Sequence, residues 1–190
     1  WIFSKYSQLY KGRTQHVIFQ IGSGKVFNIF EEFSKGIKIH TSTVVVKKQL
    51  FLQRSDLWFR VGLNNSEDRE VWYKLCCLDK TPYFINKPLS KYIIDDQQSL
   101  TKNVVNISKN HFLSMEERLK TFTKDISITD RKLLLQFLDE FNEIALINQW
   151  KIKRLDSHSI KYIKSRRRYL VKTFNNFPSF FKKAINKLFL

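Results

Sequence analysis

The chain is poor in the residues that cross-link or punctuate a fold. Its 190 residues include two cysteines, three prolines, five glycines and one methionine. Cys76 and Cys77 are adjacent, which is a poor disulfide framework and lacks the spacing of a metal site. They read as two small apolar residues on a buried helix, in a chain suited to the cytosol. No run of about 18 apolar residues occurs, so no membrane-spanning helix is expected. No charged and then apolar leader follows Trp1, so no signal peptide is expected, and the chain is expected to be a piece of a longer one. "GSGK" at 22–25 lacks the two glycines five apart of a phosphate loop. Acidic residues are scarce too, 17 against 34 Lys and Arg, leaving a net charge of +17. A surplus of that size points to anionic partners: nucleic acid, anionic lipid or a phosphorylated substrate. With 43% hydrophobic residues the composition is that of a globular chain with a real core.

The first hundred residues read as alternating strands and helices. "WIFSKYSQLY" is a strand running into a turn at Gly12, and "TQHVIFQIGSGKV" is extended and broken at Gly22 and Gly24. "IKIHTSTVVVKKQLF", residues 37–51, is the clearest strand, because Val44, Val45 and Val46 form a β-branched run of the kind covered on both faces. A short helix follows at "KKQLFLQRS". "REVWYKLCCLDK" is a buried helix, with Val71, Trp72, Leu75, Cys76 and Leu78 on one broad face. "TPYFINKPLSKYI" is a strand carrying Pro88. The order predicts an α/β domain with a mixed sheet over residues 1–107, followed by a helical extension over 108–190. In that extension Ser127 and Asp130 form a capping-box-like start to a long helix, and Leu134, Leu138, Phe141 and Ala145 make its apolar stripe.

The stretch "NNSEDREVWYKL" sets two adjacent carboxylates, Glu67 and Asp68, before a buried helix. Acids favour a first helical turn because they meet its positive dipole end and its free N–H groups, and Ser66 or Asp68 would serve as N-cap. The other reading is catalytic: a carboxylate at the mouth of a helix, beside a sheet, is placed to take the proton of an attacking hydroxyl. A single base suffices for displacement at a sugar anomeric carbon when the leaving group is a metal-held diphosphate. Hydrolysis needs two carboxylates on opposite sides of the bond, which neighbours in sequence do not usually provide.

Between about Lys35 and Thr101 the chain resembles family 2 glycosyltransferases, which have the GT-A fold. "HTSTVVVKKQLF" is similar to the family's segment before the acceptor region: Thr-Ser, apolar residues, a basic pair and Leu/Phe. "FRVGLNNSEDREVWYKL" is similar to its Phe-Asp-x5-Gly-Glu-Asp-x-x-Leu-Trp-x-Arg-Leu segment, with Phe59, Glu67, Asp68, Trp72 and Leu75 in register. Pro88, Leu89, Tyr92 and Ser99 match the strand and tail that come next. The resemblance implies a partial GT-A (Rossmann-like, mixed-sheet) domain and an inverting transfer from a nucleotide-sugar to a hydroxyl of a glycan or lipid-linked glycan, as in surface-polysaccharide synthesis. It implies Asp68 as catalytic base, Glu67 orienting it or touching the acceptor, and acceptor contacts from Thr41, Ser42, Ser66 and Trp72. Trp72 also reads as plain core.

The departures matter as much. The family's Asp after Phe is Arg60 here, and the Gly before its acidic pair is Ser66. Its Tyr-Arg-x-His becomes Tyr92, Ile93 and Asp95, so Asp95 is the candidate oxygen ligand for Mg²⁺ or Mn²⁺, unless "DDQQS" is a solvated turn. The Asp-x-Asp motif that holds the family's divalent metal is absent from the chain. The resemblance therefore covers the acceptor side alone; the main metal ligands are expected in a missing N-terminal half, and the chain by itself is expected not to turn over substrate.

The last forty residues hold twelve Lys or Arg and one acid, interleaved with Phe and Leu. Such a stretch suits an anionic membrane surface, with Phe181 in the acyl boundary and Arg166, Arg167, Arg168, Lys182 and Lys183 at the headgroups. After Pro178, Phe181, Ile185, Leu188 and Phe189 are expected to gather on one helix face. This implies a peripheral protein on the cytoplasmic face of the membrane. Nucleic acid and a merely packed tail are the weaker alternatives. The rival to the transferase reading is a non-enzymatic basic module that binds through this tail.

Overall fold

The computed structural model describes residues 1–10, 12–17, 19–61, 67–94, 115–151, 155–163 and 165–189. The chain is a small α/β domain with a mixed, curled sheet, followed by several helices. It divides into two compact units, Trp1–Val104 with Glu117–Leu134, and Val105–Glu116 with Leu135–Leu190.

The first unit is built on β1 (Ile2–Tyr10) and β5 (Tyr83–Ile93), which pair in parallel. One flank of β1 carries two antiparallel partners, β2 (Arg13–His16) at its C-terminal end and β4 (Val44–Val45) at its N-terminal end. β3 (Gly24–Lys25) closes the far side of β5. The turn from β1 to β2 uses Gly12 at φ 74°, a conformation that favours a residue without Cβ. Pro88 sits where the β1–β5 register slips, opposite Lys5, so its missing N–H falls at an irregularity and not in a regular ladder.

The helices of this unit are α1 (Ile29–Ser34), α2 (Lys48–Gln53) and α3 (Glu67–Leu78); α4 (Met115–Leu119) and α5 (Ile128–Trp150) follow. Phe3 and Phe84 from the central strands meet at 4.9 Å and are fully buried. α3 buries Val71, Trp72 and Leu75 against Leu57 and Phe122, and Cys76 is fully buried too. Leu78, assigned to the same face from sequence, is exposed at the helix end. Asn28 caps α1 by accepting from the Phe30 N–H at 3.0 Å, and its amide donates to Asp130 Oδ1 at 2.6 Å. Asp130 also accepts from Lys80 at 2.8 Å, and the Ser127 hydroxyl accepts from the Asp130 N–H at 3.0 Å, the capping contact expected from sequence. Burial pushes the Asp130 carboxyl up, but Lys80, Asn28 and Ser127 together hold it below the usual range.

The expected strand over 37–51 is a correction. Only Val44 and Val45 pair, opposite Phe3 and Ile2, and Val45 is 66% exposed. Residues Thr41–Thr43 instead form a 3-10 turn, held by Thr43 Oγ1 donating to the His40 carbonyl at 2.7 Å. The β-branched run is thus half packing and half surface, not a strand covered on both faces.

In the second unit the later turns of α5 pack with α6 (Ser157–Ile160), α7 (Ser165–Thr173) and α8 (Ser179–Phe189). Trp150, Leu146, Ile163 and Val171 are its fully buried centre, with Phe174 and Ile185 against it. The Asn175 amide bridges the Leu155 backbone, accepting from its N–H at 2.9 Å and donating to its carbonyl at 2.7 Å. No helix among the described residues is long and apolar enough to cross a membrane.

Candidate functional site

Two segments separated by 27 residues converge at the mouth of α3. The Thr41 hydroxyl donates to Asp68 Oδ2, and the Trp72 indole N–H donates to Thr41 Oγ1 at 3.3 Å. The other Asp68 oxygen, Oδ1, accepts from the Arg69 N–H at 2.7 Å. The sequence explains the placement: α3 presents Asp68 and Trp72 one turn apart on one face, and the 3-10 turn brings Thr41 over them. Trp72 is 5% exposed, with its ring edge-on to Phe59 at 5.8 Å. It is core, and its one polar atom braces Thr41.

His40, which the sequence reading passed over, opens that turn. Its Nδ1 accepts from the Ser42 N–H at 3.3 Å, which leaves Nε2 to carry the proton of the neutral ring. The imidazole lies 4.5 Å from the Tyr6 ring of β1 and 5.0 Å from the Tyr92 ring of β5. Burial lowers the His40 pKa; the Asp68 carboxylate opposes that and Arg69 adds to it. Burial raises the Tyr6 phenol, with Arg69 opposing. Two tyrosines, an imidazole, a hydroxyl and a carboxylate thus meet at one end of the β1–β5 pair. Thr41 and Ser42 are exposed there and Asp68 is half-buried. The only sequence signal for His40 was its position next to Thr41 and Ser42.

Glu67 is half-buried, and its Oε2 is shielded from solvent with no hydrogen-bond partner among the described residues. Ser66 and Asp95 lie outside the described residues. No group of three or more His, Cys, Asp or Glu able to hold a metal ion occurs among the described residues.

A second polar cluster lies two residues further along α3. Glu70 is buried and pairs with Lys74 at 2.8 Å, Arg118 at 2.9 Å and Arg60 at 3.2 Å; Lys74 also donates to the Asp56 carbonyl at 2.8 Å. Burial alone would raise the Glu70 carboxyl, but the hydrogen bonds from Lys74, Arg118 and Arg60 outweigh it and lower its pKa. Sequence reasoning missed this cluster. Burial also pushes Cys77 up to about 12 and Cys76 well above the usual thiol range, so neither is a poised nucleophile. A groove of about 220 Å³ beside α2, lined by Trp1, Val46, Lys47, Gln49, Leu50 and Gln53, contains none of the residues around Asp68.

Of the tail residues, Lys183 and Phe181 are exposed and Arg167 and Arg168 are half-buried. Arg168 donates to the carbonyls of Ile163 and Lys161 at 2.9 and 2.8 Å, and Arg167 lies 3.9 Å from Glu143. The Arg166 side chain is outside the described residues. Lys182 is 3% exposed, with its ammonium 6.0 Å from the Trp150 ring, so it packs inward and offers nothing to a headgroup.

No family model matches the chain, and neither a curated protein nor a solved structure matches it.

Proposed function

We propose that this chain is the acceptor side of an inverting glycosyltransferase of the family 2, GT-A type, with Asp68 as its general base. The observation that carries the reading is the meeting of Thr41 with Asp68, braced by Trp72. These are residues from the two separate segments that the resemblance assigns to acceptor recognition, and they come together across 27 residues of chain.

The chemistry follows from the contacts. A sugar hydroxyl that replaces the Thr41 hydroxyl at Asp68 Oδ2, or joins it there, presents its proton to the carboxylate. As its oxygen bonds to the anomeric carbon of a nucleotide-sugar, that proton passes to Asp68 and the bond to the diphosphate breaks. Attack from the face opposite the leaving group inverts the anomeric carbon. Thr41 and Ser42 are exposed hydroxyls suited to acceptor hydrogen bonds, and the half-buried His40 and Tyr92 rings, with Tyr6 buried behind His40, provide an aromatic flank for a sugar. No group of residues able to hold a divalent ion occurs among the described residues, so no step is assigned to one.

The test is sugar transfer by the full gene product carrying Asp68→Asn. The expected outcome is a loss in kcat of a hundredfold or more, in line with removal of a general base (about 10²–10⁴), at unchanged fold. A rate within threefold of the parent rejects Asp68 as base.

One placement favours a second reading. Asp68 lies inside the first turn of α3 and not at its N-cap; there its charge meets the positive end of the helix, and Oδ1 accepts from the Arg69 N–H. In a non-enzymatic basic module that would be its whole role, and Asp68→Asn would change stability by about 1 kcal/mol or less and nothing else.

A further inference from the structure

The second unit carries an apolar surface that the transferase reading leaves unused. Phe177, Phe180 and Phe181 are 44%, 64% and 48% exposed. Their rings form one ridge: Phe180 lies 4.3 Å from Phe181, and Phe181 lies edge-on to Phe177 at 6.0 Å. Phe177 in turn sits edge-on to Phe174 at 5.2 Å, and Phe174 packs on the Trp150 core. The ridge is thus rooted in the unit and not a floppy end. Exposed Lys183 and Lys187 share the Phe180 face of α8 by their i+3 and i+7 spacing, and exposed Lys172 ends α7. Of the face expected from sequence, Ile185 packs against the core, and the side chains of Leu188 and Phe189 lie outside the described residues.

We propose that the Phe177–Phe180–Phe181 ridge docks this chain on an anionic lipid surface, with the phenyl rings at the acyl boundary and Lys183 and Lys187 at the headgroups. Three observations select this occupant. Phenyl rings carry no polar atom and gain from leaving water for the acyl boundary, while flanking lysines stay at the charged layer. The rings lie tilted or edge-on to one another and do not form the row of parallel faces on which successive bases stack. Residues 151–190 carry twelve basic side chains against one acid, so a second copy seated on the same ridge would meet strong like-charge repulsion. Nothing in this proposal depends on Asp68 or on sugar transfer.

The experiment is co-sedimentation of the whole 190-residue chain with large vesicles of phosphatidylglycerol and phosphatidylcholine, compared with phosphatidylcholine alone. Partition onto the anionic vesicles is expected to exceed that onto neutral ones at least tenfold and to fall with salt. Phe180→Ser alone, and Phe177→Ser, Phe180→Ser and Phe181→Ser together, are expected to lower it, the triple variant by tenfold or more, with the fold retained and the melting temperature unchanged in Phe180→Ser. Lys183→Gln with Lys187→Gln is expected to cost roughly 25-fold, from about fivefold for each basic residue near the surface. The proposal is overturned by equal partition onto neutral vesicles or by Phe variants that bind as the parent does. It is equally overturned by a lipid-free dimer that the Phe variants dissociate, or by oligonucleotide binding that needs the three rings.

Discussion

The two carboxylates Asp68 and Glu70 lie two residues apart on α3 and have opposite surroundings. Glu70 is buried and ringed by Lys74, Arg118 and Arg60, so every direction around it is taken by a cation of the same unit. Asp68 is half-buried, with one oxygen given to the helix start and the other to a hydroxyl on an exposed turn. A charge whose partners are all internal fixes structure. A charge whose partner is an exposed hydroxyl can exchange that partner for a ligand's hydroxyl at little cost. The helix is therefore anchored by one acid and presents the other, and the two should respond differently to the same substitution.

The largest effect is expected at the anchored acid. Glu70→Gln leaves Lys74 buried beside two arginines with no compensating charge, and breaking one partner of a buried ion pair costs about 3–5 kcal/mol. Arg60 is half exposed and screened by water, which places the expected loss near the lower figure. Urea titration reads it as a shifted midpoint at constant slope. The pH dependence has a definite sign. The folded carboxyl has a lowered pKa, so its stabilisation is fully present above the unfolded value near 4.5 and is lost as pH falls through the folded value. The parent should lose this increment on acidification while Glu70→Gln does not.

The presented acid should behave in the other way. Asp68→Asn keeps an oxygen to accept from the Arg69 N–H and another contact for Thr41, so the same urea titration should show a change of about 1 kcal/mol or less. A loss as large as that at Glu70 would mean that Asp68 too is a structural charge, and the contrast along α3 would collapse. Trp72→Phe tests the brace on Thr41. It removes the indole N–H from Thr41 and leaves a small gap, with an expected cost of about 1–2 kcal/mol.

What the sequence makes legible follows the range of the interactions. β1, β5, α2, α3 and the Ser127 cap of α5 come from local pattern: alternation, turn residues and helical spacing. The strand expected over 37–51 failed for a local pattern's usual reason. Three valines in a row specify a pleated surface, but only two of them find a partner strand, and the turn at Thr41–Thr43 is held by the His40 carbonyl and Nδ1. The contacts between Glu70 and Arg118, 48 residues apart, and between Asn28 and Asp130, 102 apart, have no signature in any window of sequence. Lys182 shows the same limit, because a helical lysine reads as solvated until its neighbour turns out to be Trp150. At the site, Thr41, Asp68 and Trp72 were marked by motif likeness, whereas His40 and Tyr6 became visible only once β1, β5 and the turn were in place.

The smallest effect concerns that histidine and extends the comparison to the turn over Asp68. His40 is one of four histidines, and burial between Tyr6 and Tyr92 disfavours its charged form. Its folded pKa is lowered, so the folded state prefers the neutral ring and the unfolded state takes up a proton first as pH falls. Stability should be complete above the unfolded value near 6.5 and should decline below it until the folded value is passed. Protonation also ends Nδ1 acceptance from the Ser42 N–H, which loosens the turn that carries Thr41. The measurement is the carbon-bound proton shift of each histidine against pH, with His40→Asn assigning the signal. A midpoint below 6.5 for His40, moving upward in Tyr92→Leu as the ring gains water, is the expected result. A midpoint at or above 6.5 would mean that the Asp68 carboxylate outweighs burial. The turn would then be held as the Glu70 cluster is, by charge, and not by packing.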